Sequence, residues 1–513
     1  MYTSARFRSL LMLPALLGLA ACDVSERFTL PNVSLPSAWE IRSADAGKTG
    51  TDAKLANASP TSASPASPSP ASPSVVVASV DAGNEAWPDP DWWRGFGNQE
   101  LAMLMLQAEA GNHDLAAALA RIDQAEASLR VAGAALLPSL SASGSATRSW
   151  SPPSSTTTGT TSSRVPERST RNSFSTGLTA SYQVDLFGGN QASKDAAAAR
   201  LASSRFDRET VRLTLHSTLA ASYFQLLSIR DRIRLAENTL RNAEDVLAVL
   251  VRQQELGVAS DLEVAQQRNS VASQRASIPA LRQSEYETLT ALALLLGQPP
   301  QGFRVQTQSL NDLRLPPVRA GLPSGLLERR PDLRQAEANL YAANRDLAVA
   351  KAARLPSFSL TGSGTFQNNE LRNLIDAQNI AYSLASSILA PIFQGGRLEA
   401  QEDLSRARLR ELAETYTKTA ITAFGDVEDA LNGNNTAAQR AGFATEAYDQ
   451  AQDAYRIVDA RFRAGTVPFL TLLDAQRSVF QANDTLVQAQ LARYTALIDL
   501  YKALGGGWQQ PAE

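Results

Sequence analysis

The chain has 513 residues, with 48 Lys and Arg against 51 Asp and Glu and a net charge of −3. At a pI near 5.7 it offers no basic surface of the kind that binds nucleic acid. One cysteine excludes an intrachain disulfide, and two distant histidines, His113 and His216, with four methionines leave no material for the common zinc or soft-metal sites.

The N-terminus reads as a leader. Arg6 and Arg8 precede an apolar run over 10–21 that is too short to span a bilayer and suits a secretory signal. The run ends Leu19-Ala20-Ala21-Cys22, which resembles a bacterial lipobox. That resemblance implies removal of 1–21 and a diacylglycerol on the Cys22 thiol. Buried acyl CH₂ groups contribute ~0.8 kcal/mol each, so several chains anchor a protein durably. Asp23 follows the cysteine, and in some bacteria an aspartate there keeps a lipoprotein at the inner membrane. The anchor alone therefore does not choose the membrane. Residues 58–74 are only Ala, Ser, Pro and Thr, a composition that buries no apolar surface and predicts an extended linker within 22–86. Order is expected to resume near Trp87 and Trp92-Trp93.

The remainder is duplicated. Gly257 matches Gly465, Leu262 matches Leu470, Ser270 matches Ser478, and Leu296-Gly297 matches Leu504-Gly505, all at one spacing. Upstream, Leu137-Pro138-Ser139 matches Leu355-Pro356-Ser357, and Phe187-Gly188-Gly189 echoes Phe393-Gln394-Gly395-Gly396. The copies occupy 87–300 and 326–505, with a Pro-rich connector over 301–325 and a tail over 506–513. Each predicts helix, two strands, long helix, tight turn, helix. In copy one the helices fall at 113–136, 190–256 and 262–296; in copy two they fall at 331–354, 397–464 and 469–504. Pro331 suits a first helical position, and Gly257 and Gly465 suit left-handed stops. Leu473, Phe480, Val487, Tyr494 and Tyr501 recur every seven residues, a seam that predicts left-handed supercoiling. A helix of ~65 residues is roughly 100 Å long at 1.5 Å per residue. Its two shorter partners sum to nearly the same length, which predicts a tubular wall. Pro279 is expected to kink its helix, and Gly433-Asn434-Asn435 to weaken the second long one.

Between the helices the chain alternates. Leu140, Ala142, Gly144 and Ala146 oppose Ser141, Ser143, Ser145 and Thr147; Phe174, Leu178, Ala180, Tyr182 and Val184 oppose Ser175, Thr179, Ser181 and Gln183. Copy two sets Phe358, Leu360 and Phe366 against Ser357, Ser359, Thr361 and Ser363, then Tyr382, Leu384 and Ile388 against Ser383 and Ser387. Strands of ~10 residues, apolar on one side and hydroxyl-bearing on the other, fit an outer-membrane barrel. Residues 151–172 and 367–379 are expected as the hairpin loops. Four strands cannot close, and lipid tolerates no open edge. Two chains would give eight strands with a filled interior, and three would give twelve and a pore. A symmetric trimer is the economical solution.

The motifs Trp92-Trp93, Val184-Asp185-Leu186-Phe187-Gly188, Leu256-Gly257-Val258-Ala259-Ser260, Arg329-Arg330-Pro331-Asp332-Leu333-Arg334-Gln335-Ala336-Glu337 and Pro391-Ile392-Phe393-Gln394-Gly395-Gly396 occur in this order. They are followed by Arg463-Ala464-Gly465-Thr466, Leu472-Leu473-Asp474-Ala475-Gln476-Arg477 and Lys502-Ala503-Leu504-Gly505-Gly506-Gly507-Trp508. Together they resemble the TolC-type outer membrane factors, in the NodT/OprM-like lipoprotein branch that serves tripartite efflux pumps. The resemblance implies a membrane α+β fold, a trimer with a twelve-stranded barrel and an α-helical periplasmic tunnel. It also implies a passive exit duct for small molecules, without catalysis or cofactor, partnered by a periplasmic adaptor and an inner-membrane transporter.

By the same resemblance, Phe462, Arg463, Leu470, Asp474 and Arg477 match a gate at the periplasmic tip. Gly257, Val258, Ala259, Ser260, Gly465 and Thr466 match turns on which an adaptor docks. Three Leu470 side chains on a threefold axis would make an apolar plug, and three Asp474 an acidic ring. The plainer reading of Asp474 and Arg477 is an ordinary i,i+3 pair on a solvated helix. Two other functions use the same features: the exit duct of a type I protein secretion system, and a periplasmic coiled-coil adaptor lipoprotein.

Overall fold

The computed structural model describes residues 28–32, 87–151, 169–318 and 325–509. The leader, Cys22, the linker and most of the first hairpin loop lie outside the described residues. Among those described, helices and strands follow the predicted order. They are α1 (Gln99–Gly111), α2 (His113–Ala134), β1 (Ser139–Ser151), β2 (Ser169–Val184), α3 (Gly189–Glu255), α4 (Asp261–Leu295), α5 (Leu326–Arg329), α6 (Pro331–Ala352), β3 (Ser357–Asn368), β4 (Ile380–Leu389), α7 (Arg397–Arg463) and α8 (Phe469–Ala503). The duplication is visible in the lengths: α2 and α6 both have 22 residues, α3 and α7 have 67, and α4 and α8 have 35. No described helix is long and apolar enough to cross a membrane.

Two details depart from the sequence expectations. A separate helix, α1, precedes the first predicted one and stops at Asn112, whose Oδ1 accepts from the Leu115 amide and whose Nδ2 donates to Leu295 O. The hairpin loops are also shorter than expected. Residues 169–172 pair with β1 and Gln367-Asn368 belong to β3, because polar side chains do not prevent a ladder from continuing past the apolar band. Both α4, through Pro279, and α7, through Gly433-Asn434-Asn435, are continuous helices.

The chain forms two compact units. In the first, residues 121–205 and 335–416 build one antiparallel sheet in the order β1-β2-β3-β4, together with the flanking helical segments. Small residues let those helices approach closely: Ala196 and Ala199 of α3 and Ala343 and Ala350 of α6 are buried. Arg200 pairs with Asp346, and Glu402 of α7 holds both Arg354 and Arg406. Asp185 explains its motif: its carboxylate accepts from the Gln191 amide at 2.8 Å, capping the first turn of α3 after the left-handed Gly188.

The second unit covers residues 32–120, 206–334 and 417–513, of which 32, 87–120, 206–318, 325–334 and 417–509 are described. Its core gathers Trp92, Trp93, Phe96, Leu101, Tyr223, Phe224 and Tyr501, with Trp92 stacked on Tyr501 at 4.8 Å. The connector is clamped by buried and half-buried charge. Asp231 accepts from Ser309 Oγ at 3.2 Å and the Leu310 amide at 3.0 Å; Arg230 donates to Glu285 and to Val305 O. Burial opposes the charge on Glu100, but the amides of Gln306 and Thr307 and two hydroxyls outweigh it and hold the carboxyl below its ordinary range. Arg330 accounts for the Arg-Arg-Pro-Asp motif: it joins Asp332 and Asp426 and donates to Ala503 O, tying the start of α6 to α7 and α8.

The repeat glycines divide by what surrounds them. Gly257 and Gly465 have left-handed φ of 73° and 71° and nothing within 4 Å of a notional Cβ. At Gly297 a Cβ would stand 2.0 Å from Gly111 O, and at Gly505 2.3 Å from Arg329 O. Those two are the same place in the two copies. Alanine at 257 or 465 should therefore cost only the ~1–2 kcal/mol of a left-handed residue. Alanine at 297 or 505 adds a backbone collision, and its thermal unfolding midpoint should fall clearly further.

Candidate functional site

The sheet register assigns every strand side chain to a face. Ser139↔Ser181, Ser181↔Thr361 and Ser359↔Ser387 are aligned partners, and no bulge interrupts the count. Odd-numbered residues thus share one face and even-numbered residues the other. The odd face carries hydroxyls that satisfy each other across strands: Ser139 with Ser181, Ser145 with Ser175, and Ser363 with Ser383 at 2.8 Å, and Ser359 with Ser387 at 2.7 Å. The even face is apolar and uncovered, with Leu384 and Tyr382 each 78% and Leu140 71% exposed. The Tyr382 ring stands 3.4 Å from where a Cβ on Gly364 would be, filling the space beside that glycine. At Gly177, on the hydroxyl face, a Cβ would meet Gly364 O at 2.6 Å and the Thr365 Cα at 2.8 Å. Glycine there lets neighbouring strands crowd on that face, a device that curls a sheet toward closure.

The predicted tip residues lie in the second unit. Both turns end their helices in the same way: Val258 N donates to Gln253 O and Thr466 N to Arg461 O, while Gly257 N reaches Gln254 O and Gly465 N reaches Phe462 O. The copies differ in how the next helix begins. Ser260 forms a capping box with Glu263, whereas Pro468 occupies the matching position and caps nothing. Val258 is exposed, Ala259 packs beneath it, and Thr466 Oγ1 donates to Arg461 O.

Of the predicted gate residues, Phe462 turns inward. It lies 6.1 Å from the Phe469 ring in an apolar cluster with Leu250, Val264 and Leu473. Leu470 stands out at 54% exposure. Arg463 pairs with Asp459 at 2.9 Å, a partner that i,i+4 spacing could have revealed. Asp474 and Arg477 approach only to 3.9 Å, both largely exposed. The structure thus separates an apolar cluster under the turns, which includes Phe462, from three exposed residues of α8, Leu470, Asp474 and Arg477. Sequence reasoning missed Phe469, Leu250 and Val264 as the packing beneath the tip. It also missed the Arg232–Asp484 pair, at 2.6 Å between α3 and α8. Only three-dimensional proximity reveals those partners.

Comparison with known proteins agrees with this arrangement. The family profile described as "Outer membrane efflux protein" matches residues 104–298 and 322–506. The chain is 44% identical over 418 residues to the pyoverdine export outer membrane protein OpmQ of Pseudomonas aeruginosa, covering 82% of this chain and 87% of that one. It is 32% identical to the toluene efflux pump outer membrane protein TtgC of Pseudomonas putida, covering 82% and 85%. Among solved structures, the open state of the Neisseria gonorrhoeae MtrE outer membrane channel matches with a TM-score of 0.77 at 26% identity, covering 95% of this chain and 99% of that one. The chain belongs to the outer membrane efflux protein family. This membership and the four-stranded sheet set aside the periplasmic adaptor reading.

If the even face meets lipid, charge on it is costly. Leu384→Arg should destabilise the inserted protein by about 2–4 kcal/mol near the bilayer midplane. Ser383→Arg, one residue away on the hydroxyl face, should leave insertion intact. Heat resistance of the protein in outer-membrane fractions separates the two.

Proposed function

We propose that this protein is the outer membrane exit duct of a tripartite efflux system, passive and gated at its periplasmic tip. The observation that carries the reading is the open four-stranded sheet with one apolar exposed face and one hydroxyl face. Three copies close twelve strands into a pore lined by Ser and Thr, and the helical hairpins form the periplasmic tunnel. The leader over 1–21 is removed, Cys22 carries the lipid, and the segment to 86 tethers it to the duct. A periplasmic adaptor engages the turns at Gly257–Ser260 and Gly465-Thr466, and an inner-membrane transporter supplies the energy.

Phe462, Arg463, Leu470, Asp474 and Arg477 form the gate. Leu470 is exposed on the single chain and would meet its symmetry mates, closing the pore by dewetting. Asp474 and Arg477 are too loosely paired within the chain to satisfy one another, which leaves each available to a neighbouring copy. In planar bilayers the purified protein should conduct little, and Asp474→Ala or Arg477→Ala should raise the conductance. Unchanged conductance in both would remove these residues from the gate.

A second level of the reading concerns cargo. The 44% identity to a pyoverdine export protein, against 32% to a toluene efflux protein, favours a pyoverdine-like cargo over toluene. A deletion strain should retain pyoverdine in the periplasm and secrete less of it, while its toluene tolerance stays unchanged. Loss of toluene tolerance with normal pyoverdine secretion would reverse the assignment.

A further inference from the structure

Charge on the four strands is confined to two arginines. Neither Asp nor Glu occurs in β1 to β4, and Arg148 and Arg171 are the charged residues there. The register sets both at the same level near the β1–β2 hairpin end, with Arg148 opposite Asn172 and Ser149 opposite Arg171. Parity then sends them to opposite faces: Arg148 joins Leu140 and Phe174, and Arg171 joins Ser145 and Ser175. Both side chains are exposed, and neither has an acidic partner among the described residues. Further along the odd face, hydroxyls are engaged with one another and carry no formal charge.

We propose that Arg171 sets the charge preference of the duct: three copies form a positive collar in the lumen that favours anionic cargo. The class of cargo is a small organic molecule bearing carboxylate, phosphate or sulfonate groups. The inference rests on reading the hydroxyl face as the lumen. Arginine rings select anions where nothing nearby neutralises them. Arg148, at the same height on the apolar face, points to the lipid side and serves as a built-in control.

The test is the reversal potential of the reconstituted full-length protein across a potassium chloride gradient. Arg171→Gln should move it toward the potassium equilibrium potential, and Arg171→Glu further. The shift should be large near ~0.1 M salt, where the screening length is about 10 Å, and shrink near ~1 M, where it is about 3 Å. Arg148→Gln should keep the wild-type value. Pores whose reversal potential ignores both Arg171 variants would overturn the collar alone. A shift in Arg148→Gln instead would overturn it by exchanging the faces, and failure to form any pore even in the Asp474→Ala background would overturn the exit-duct reading as well.

Discussion

The two outer edges of the sheet govern everything else in this molecule. Among the described residues, β1 and β4 each pair with one neighbouring strand, so each presents an outer edge of backbone donors and acceptors. In water such an edge invites aggregation; in a hydrocarbon layer each unsatisfied group costs several kcal/mol. The exposed apolar face sends this sheet toward lipid, and lipid then demands that the edges meet. Within one chain they cannot, because four strands are too few to close. Further copies of the same chain supply the missing strands. Gly177 lets its neighbouring strand approach closely, and the paired serines contribute a neutral polar face.

The helices obey a different constraint, which is length. Equal spans of 22, 67 and 35 residues recur in both copies, so one copy's hairpin geometry is repeated by the other. Glycine sets the ends. Gly257 and Gly465 stop the long helices in open space, while Gly297 and Gly505 stop the next helices against the carbonyls that end α1 and α5. In the second unit, the connector between copies is held by Glu100, Arg230 and Asp231, each with two or more partners. Breaking one of these would strand a charge at partial burial, a costlier change than losing a surface pair.

Much of this was legible in the sequence because its signals are periodic. Strand parity placed Ser145 and Phe174 on their correct faces, and the seven-residue seam identified Leu473 and Tyr494 as buried. Glycines 257 and 465 located both turns. What escaped was aperiodic or long-range. The stop at Asn112 depends on a hydrogen bond to Leu295, distant in sequence, and no local pattern announces it. The hairpin loops were drawn too long because polarity was equated with the end of pairing. At the tip, Asp474 and Arg477 were correctly seen as neighbours on α8, but the packing of Phe469 on Leu250 and Val264 follows from tertiary proximity alone.

Family membership and sheet geometry converge on one central claim: the pore exists only when three chains share it. The mass of the detergent-solubilised native particle tests this most directly, by native mass spectrometry. The expected result is three times the mature chain, unchanged when Cys22 is replaced so that no acyl chain contributes to association. A stable monomer or dimer as the inserted species would contradict it, since four or eight strands of this composition leave no hydroxyl-lined pore.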